Sequence, residues 1–188
     1  MSIALASVSI DLDDVPRYAS IHGARTPRGS AAHAVYDRCV PRLTEWLHAE
    51  SVRATFFAIG EDLARDENRK TIAGLHAGGH EIANHSHRHL YDLTRRPARE
   101  IYEEVEQGAA AIEAACGERP VGFRAPGYTV SDELFEALGA AGTQYDSSVF
   151  PCPTYYVAKG AALASIKLRG GQGKSCMDTP AVLRAPRK

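Results

Sequence analysis

Three histidines stand at alternating positions at the end of Gly79-His80-Glu81-Ile82-Ala83-Asn84-His85-Ser86-His87-Arg88-His89, directly after a short apolar run. Neutral imidazole is the commonest side-chain metal ligand. If the segment turns helically, residues four apart share a face, which pairs His85 with His89. His87 then lies about 200° round from His85 and points elsewhere. Two histidines supply half of a zinc site. A hydrolytic zinc centre takes a third protein ligand, often a carboxylate, and keeps one position open for water.

A carboxylate source lies near the start. Ser7-Val8-Ser9-Ile10-Asp11-Leu12-Asp13-Asp14 reads as a buried strand that ends in three acids. Carboxylates so close repel one another, and a metal or an arginine normally offsets that repulsion. A third segment, Val121-Gly122-Phe123-Arg124-Ala125-Pro126-Gly127-Tyr128, is another apolar run ending in an arginine and turn residues. Singly, each has an ordinary explanation. Acids after a strand form turns or cap helices, and a surface arginine pairs with a surface acid. Together they share a place: each follows a predicted strand, at the end where alternating strand-helix folds put their chemistry.

The elements that position them follow from periodicity. Ile3 to Ile10 forms the first strand, and Asp13 to Ser30 reads as a long loop. Ala31 to Glu50 reads as a helix with Val35, Cys39, Leu43, Trp46 and Leu47 at core spacing, and with Pro41 as a kink or a late start. Ala54 to Ile59 is a buried strand, and Glu61 to Ala77 a helix broken by Gly78-Gly79. His80 to Ala83 is the third strand. Pro97 opens a helix to Cys116, and Val121 to Phe123 is the fourth strand. Ser131 caps a helix to Ala141, closed by Gly142. Thr143 to Tyr145 leads into a short fifth strand ending at Asp146. Val157 to Leu168 suits a helix, and Gly170 to Lys174 a turn. This alternation predicts an α/β fold with a parallel sheet and crossover helices.

Composition sets the bounds. The 188 residues fit one domain, 1–188, with a sizeable core. A net charge of −1 without a long basic stripe argues against nucleic acid or an anionic membrane as the main partner. Cys39, Cys116, Cys152 and Cys176 form no paired motif and read as free thiols in a reducing compartment. The first residues lack a basic region and run straight into Asp11, which reads as a strand and not a signal peptide. No stretch approaches the length of a membrane span. The expectation is a soluble, cytoplasmic protein.

Five segments together resemble the polysaccharide deacetylase family, whose shared region is the NodB homology domain. They are Ser9 to Asp14, Ala54 to Gly60, Gly79 to His89, Phe123 to Tyr128, and Tyr145-Asp146-Ser147-Ser148, in the family's order and spacing. The resemblance implies a metal-dependent hydrolase that removes acetyl groups from sugars or polysaccharides, with one divalent metal, zinc first. It implies a distorted (β/α) barrel, here shorter than usual and incomplete at its C-terminus. It gives His85 and His89 the role of metal histidines and Arg124 that of orienting a base carboxylate. In the Asp-x-Asp branch, which includes peptidoglycan deacetylase-like and allantoinase-like proteins, Asp11 is the base and Asp13 the third ligand. Alternation along a strand favours this assignment, since it puts both on one face. The commoner form would make Asp13 the base and Asp14 the ligand. Gly127 stands where the family often has a tyrosine whose backbone N–H helps bind the oxyanion, and Tyr128 lines the groove. Many members use a late histidine as acid, but none follows His89 here, and Trp46 is the single tryptophan. Two other readings accompany this one: a small-amide or cyclic-ureide hydrolase of the same fold, and a truncated glycan- or partner-binding domain. Exposed strand edges of an incomplete barrel would favour a homo-oligomer.

Overall fold

The computed structural model describes residues 6–21 and 24–168. The expected start of the first strand at Ile3, the Gly170–Lys174 turn and Cys176 lie outside them. Five short strands form one parallel sheet in the order β1-β2-β3-β4-β5: Ser9–Asp11, Thr55–Ala58, Glu81–Asn84, Gly122–Phe123 and Tyr145–Asp146. The order never reverses. With right-handed crossovers this winds every connection the same way, so the sheet is one arc of a barrel wall and not a doubly wound sheet. Among the described residues the sheet stops at five strands.

Alternation sorts the side chains. Ile10, Leu12, Phe56, Ala58 and Ile82 point outward into a core shared with helices α2 (Val40–Ala49), α3 (Asp66–Ala77) and α4 (Ala98–Cys116). Phe123 and Ala125 point into a second core with α4 and α5 (Asp132–Ala140). The intervening residues face the concave side. At its base Thr55 Oγ1 and Tyr145 Oη each donate to Glu81, at 2.6 and 2.8 Å. One step up, Arg124 lies over the Phe57 ring, 4.0 Å from its centroid. Phe56 and Phe57 are both fully buried, which explains the unbroken apolar run of a strand covered on two sides.

Three expectations need correction. The stretch read as a loop over Asp13–Ser30 contains helix α1 (Val15–Ile21). Pro16 suits a first helical turn, and Asp14 Oδ1 accepts the Val15 N–H at 3.1 Å. Trp46 is not core but 55% exposed. A wide π turn over Val35–Cys39 precedes α2, shifts the phase of the apolar stripe, buries Tyr36 and leaves Cys39 exposed. Finally, α6 begins a turn earlier than expected, spanning Pro153–Leu168.

Candidate metal and active site

The residues with chemistry gather at the C-terminal ends of β1, β3 and β4. Asp11 ends β1, and two residues on Asp13 faces the same side. His85 follows β3. His85 Nδ1 lies 2.6 Å from the Arg124 carbonyl, which can only accept, so that nitrogen carries the proton. Its Nε2 lone pair is thereby turned to the centre, the arrangement seen around metal-binding histidines. There it meets His89 Nε2 at 3.2 Å. Asp13 Oδ2 is 3.9 Å from His85 Nε2, and Asp13 Oδ1 is 2.8 Å from His89 Nε2. At 2.8 Å His89 Nε2 is the nearest polar group to the buried Asp13 Oδ1, which has no other hydrogen-bond donor among the described residues.

One ligand atom from each of Asp13, His85 and His89 lies within 4.8 Å of the others, and all three residues are buried. Two imidazole nitrogens and a carboxylate oxygen converging in a buried spot fit a divalent cation. Asp14 is engaged elsewhere: it accepts from the Val15 and Val35 backbones and faces His33 Nδ1 at 3.2 Å.

Titration favours the same state. Burial raises the Asp13 carboxyl, but His89, then His85 and Arg17, outweigh it and hold the group below its usual range. Burial, then the adjacent His89, pushes His85 below its usual 6.5. Asp13 is therefore held ionised and His85 neutral. The folded state resists protonating His85, whereas the unfolded chain accepts a proton below about pH 6.5. The His85 contribution to stability is thus complete above that pH and is lost as pH falls below it. Asp13 adds stability present above its unfolded pKa and lost in stronger acid. Because the fold keeps His85 neutral below its ordinary 6.5, proton competition at His85 is expected to leave calorimetrically measured zinc uptake unchanged as pH falls through about 6.5 and to weaken it only further into acid. A proton released from His85 on zinc binding at about pH 6.5 would contradict the neutral-His85 assignment.

The histidine segment is not helical, so His85 and His89 meet without the helical turn that their spacing would also allow. It leaves β3 as an irregular loop with Ser86 and His89 at positive φ, 64° and 56°. Such backbone is unfavourable for these residues unless the surroundings impose it. Ser86 Oγ accepts the His89 N–H, the buried Glu104 accepts the Arg88 N–H at 2.8 Å, and Arg17 donates to the Arg88 carbonyl at 2.9 Å. Gly60 and Glu61 donate backbone bonds to Ser86 and His87. Glu104 was missed in the sequence. Its signal is a charge set inside the apolar stripe Ile101, Val105 and Ile112 of α4.

Arg124 Nη1 donates to Asp11 Oδ1 at 2.6 Å, while Nη2 donates to Ser9 Oγ at 2.9 Å and Ser147 Oγ at 2.8 Å. Asp11 Oδ2 is left facing His85 Nε2 at 4.0 Å. The two serines were also missed as partners, although both lie in the motifs named above. Gly127 and Tyr128 both adopt positive φ, 68° and 60°. A Cβ on Gly127 would come within 3.2 Å of the Tyr91 ring. The Tyr128 ring stacks on Phe150 at 5.2 Å. Asp11, Asp13, His85, His89, Gly127 and Tyr128 border one open cavity of about 460 Å³, roofed by α6.

Comparison with known proteins places this geometry. The chain is 38% identical over 89 residues to a chitooligosaccharide deacetylase of Bradyrhizobium sp. (strain ANU 289), covering 47% of this chain and 39% of that protein. It is 31% identical over 104 residues to a peptidoglycan-N-acetylglucosamine deacetylase of Bacillus cereus, covering 55% and 47%. The chain thus spans less than half the length of these relatives. A crystal structure from Mycobacterium smegmatis, named for a polysaccharide deacetylase, superposes with a TM-score of 0.66 at 28% identity, over 77% of this chain and 50% of that one. The family model for polysaccharide deacetylases matches residues 13–145, from the first buried acid to the fifth strand, and the chain belongs to that family.

Proposed function

We propose that residues 1–188 form one catalytic domain that hydrolyses the acetamide of an N-acetylated sugar or polysaccharide. The observation that carries this reading is the convergence of Asp13, His85 and His89 beside an Asp11 carboxylate held by Arg124. The named activities of the two relatives, on chitooligosaccharide and on peptidoglycan N-acetylglucosamine, point to the same substrate class.

Asp13, His85 and His89 would hold one divalent metal. Zinc suits two imidazoles and a carboxylate, though nickel, cobalt or iron would also bind. When bound, the metal polarises the acetyl carbonyl and makes an adjacent water more acidic. Asp11 accepts the proton of the attacking water. Arg124 fixes which Asp11 oxygen is free by occupying the other one. The backbone N–H of Gly127 helps stabilise the charge that develops on the carbonyl oxygen. Tyr128 borders the sugar groove.

Among the described residues no helix is long and apolar enough to cross a membrane. The free thiols of Cys39, Cys116 and Cys152 suit a reducing compartment. We therefore place the enzyme in the cytoplasm, acting on a precursor sugar. The open edges of β1 and β5 favour a homo-oligomer.

Metal content and acetate release are the deciding measurements. One metal per chain is expected, with release abolished by chelation and restored by zinc. Asp11→Asn is expected to keep the metal and lose about a hundredfold to ten-thousandfold in turnover, the usual worth of a positioned base. Acetate release that survives complete metal removal would overturn the reading. Turnover of small amides without turnover of acetylated sugars would move the activity to another substrate class.

A further inference from the structure

Breaking an amide needs more than a base. The departing nitrogen must gain a proton as the carbon–nitrogen bond breaks, and of the residues given roles above only Asp11 acquires one, from the attacking water. Helix α6 crosses the cavity with Tyr155, Ala158, Lys159, Ala162, Leu163 and Ile166 toward it. These positions are spaced three and four apart and form one face of the helix. The face is aromatic and aliphatic except for Lys159. Among the described residues lining this cavity, Lys159 is also the one lysine or arginine. Lys159 thus sets a single ammonium among apolar side chains at the wall of the site.

Lys159 reaches the substrate side of the site. It is half-buried, and its Nζ donates at 3.1 Å to the carbonyl of Gly127, the residue proposed above to steady the oxyanion. The same Nζ lies 5.9 Å from the Tyr155 ring centroid. An ammonium has three protons, so it can hold the Gly127 carbonyl with one and direct another to the cavity.

We propose that Lys159 is the proton donor to the leaving amine, an inference that rests on the deacetylase reading above. The oxygen of water bonds to the acetyl carbon, and its proton passes to Asp11. The carbon–nitrogen bond then breaks, and the nitrogen takes a proton from Lys159 Nζ as its basicity rises. Acetic acid, which ionises, and a free amine leave. The proton held by Asp11 returns to Lys159 through solvent, which restores both groups. Asp11 serves as base and Lys159 as acid, within one cavity.

The test compares two substrates whose leaving groups differ. An N-acetylglucosamine oligomer needs a protonated leaving group, whereas 4-nitrophenyl acetate expels a stable phenolate. Zinc-loaded wild type, Lys159→Met and Lys159→Arg are assayed on both, with zinc content measured in each. In both variants the ratio of amide to ester turnover is expected to drop about a hundredfold or more, the scale of general acid catalysis. Arginine keeps the charge but does not give up a proton. A Lys159→Arg enzyme with full amide turnover would overturn the proposal, because charge alone would then suffice. An unchanged ratio in both variants would do the same and leave Lys159 as a pin for α6. Wild type that releases acetate from neither substrate, with zinc bound, would sink the deacetylase reading and this inference with it.

Discussion

Asp13→Ala, His85→Ala and His89→Ala are each expected to lose stoichiometric metal and at least about a thousandfold in acetate release. The magnitude follows from a metal contribution of several kcal/mol to the transition state, at about 1.4 kcal/mol per factor of ten. None of the three should unfold the protein, because neither apolar core includes them. Asp14→Ala separates the two assignments of the acidic motif. Asp14 is tied to the Val15 and Val35 backbones and to His33. Its loss is expected to cost about 0.5–2 kcal/mol of stability, as for a helix cap, with metal retained. Metal analysis beside thermal melting reads both effects. Metal lost in Asp14→Ala and kept in Asp13→Ala would reverse the assignment.

Gly108→Ala is expected to destabilise the protein by about 1–3 kcal/mol and to weaken metal binding, although Gly108 lies in the middle of a helix. In an exposed helix the same change would gain up to about 1 kcal/mol. Here α4 presses on the histidine loop. An added Cβ would stand 2.4 Å from Asn84 Oδ1, 2.9 Å from the Ser86 carbonyl carbon and 3.1 Å from the His87 nitrogen. Asn84 cannot swing away freely, since its Nδ2 donates to the Val105 carbonyl at 2.8 Å. The other two contacts are backbone. Relief therefore has to come from moving the segment that carries His85 and His89, which is why stability and metal affinity should fall together. Chemical denaturation and zinc titration of the variant check this. A variant more stable than wild type would show that the close approach is not tight.

Much of this layout was legible in the chain because strand alternation is a strict rule. Asp11 and Asp13 share a side and Asp14 departs from it, as period-two geometry requires. The strand ends that carry Asp11, His85 and Arg124 followed from short apolar runs broken by glycine and turn residues. The shape of the histidine segment was not legible. Four-residue spacing suggests a helical turn, but His85 and His89 meet through a loop with two left-handed residues, imposed by Glu104, Arg17 and Gly60 from other elements. Trp46 misled for a related reason. One wide turn upstream of α2 rotates its apolar stripe, and no local propensity announces such a turn. The hydroxyls of Ser9 and Ser147 escaped notice because their importance depends wholly on the reach of Arg124.

That reach has a temporal side. Arg124 joins Asp11 across 113 positions and Ser9 across 115, and it needs Ser147 from still later in the chain. The three metal-binding candidates close within residues 13–89. A ribosome delivers Asp13, His85 and His89 well before it delivers Arg124, and folding during synthesis proceeds from the N-terminal side. The nascent protein therefore carries its metal donors before it carries the residue that orients both His85 and Asp11. Hydrolytic competence comes later, once Arg124 and Ser147 have been made and the guanidinium can hold Asp11.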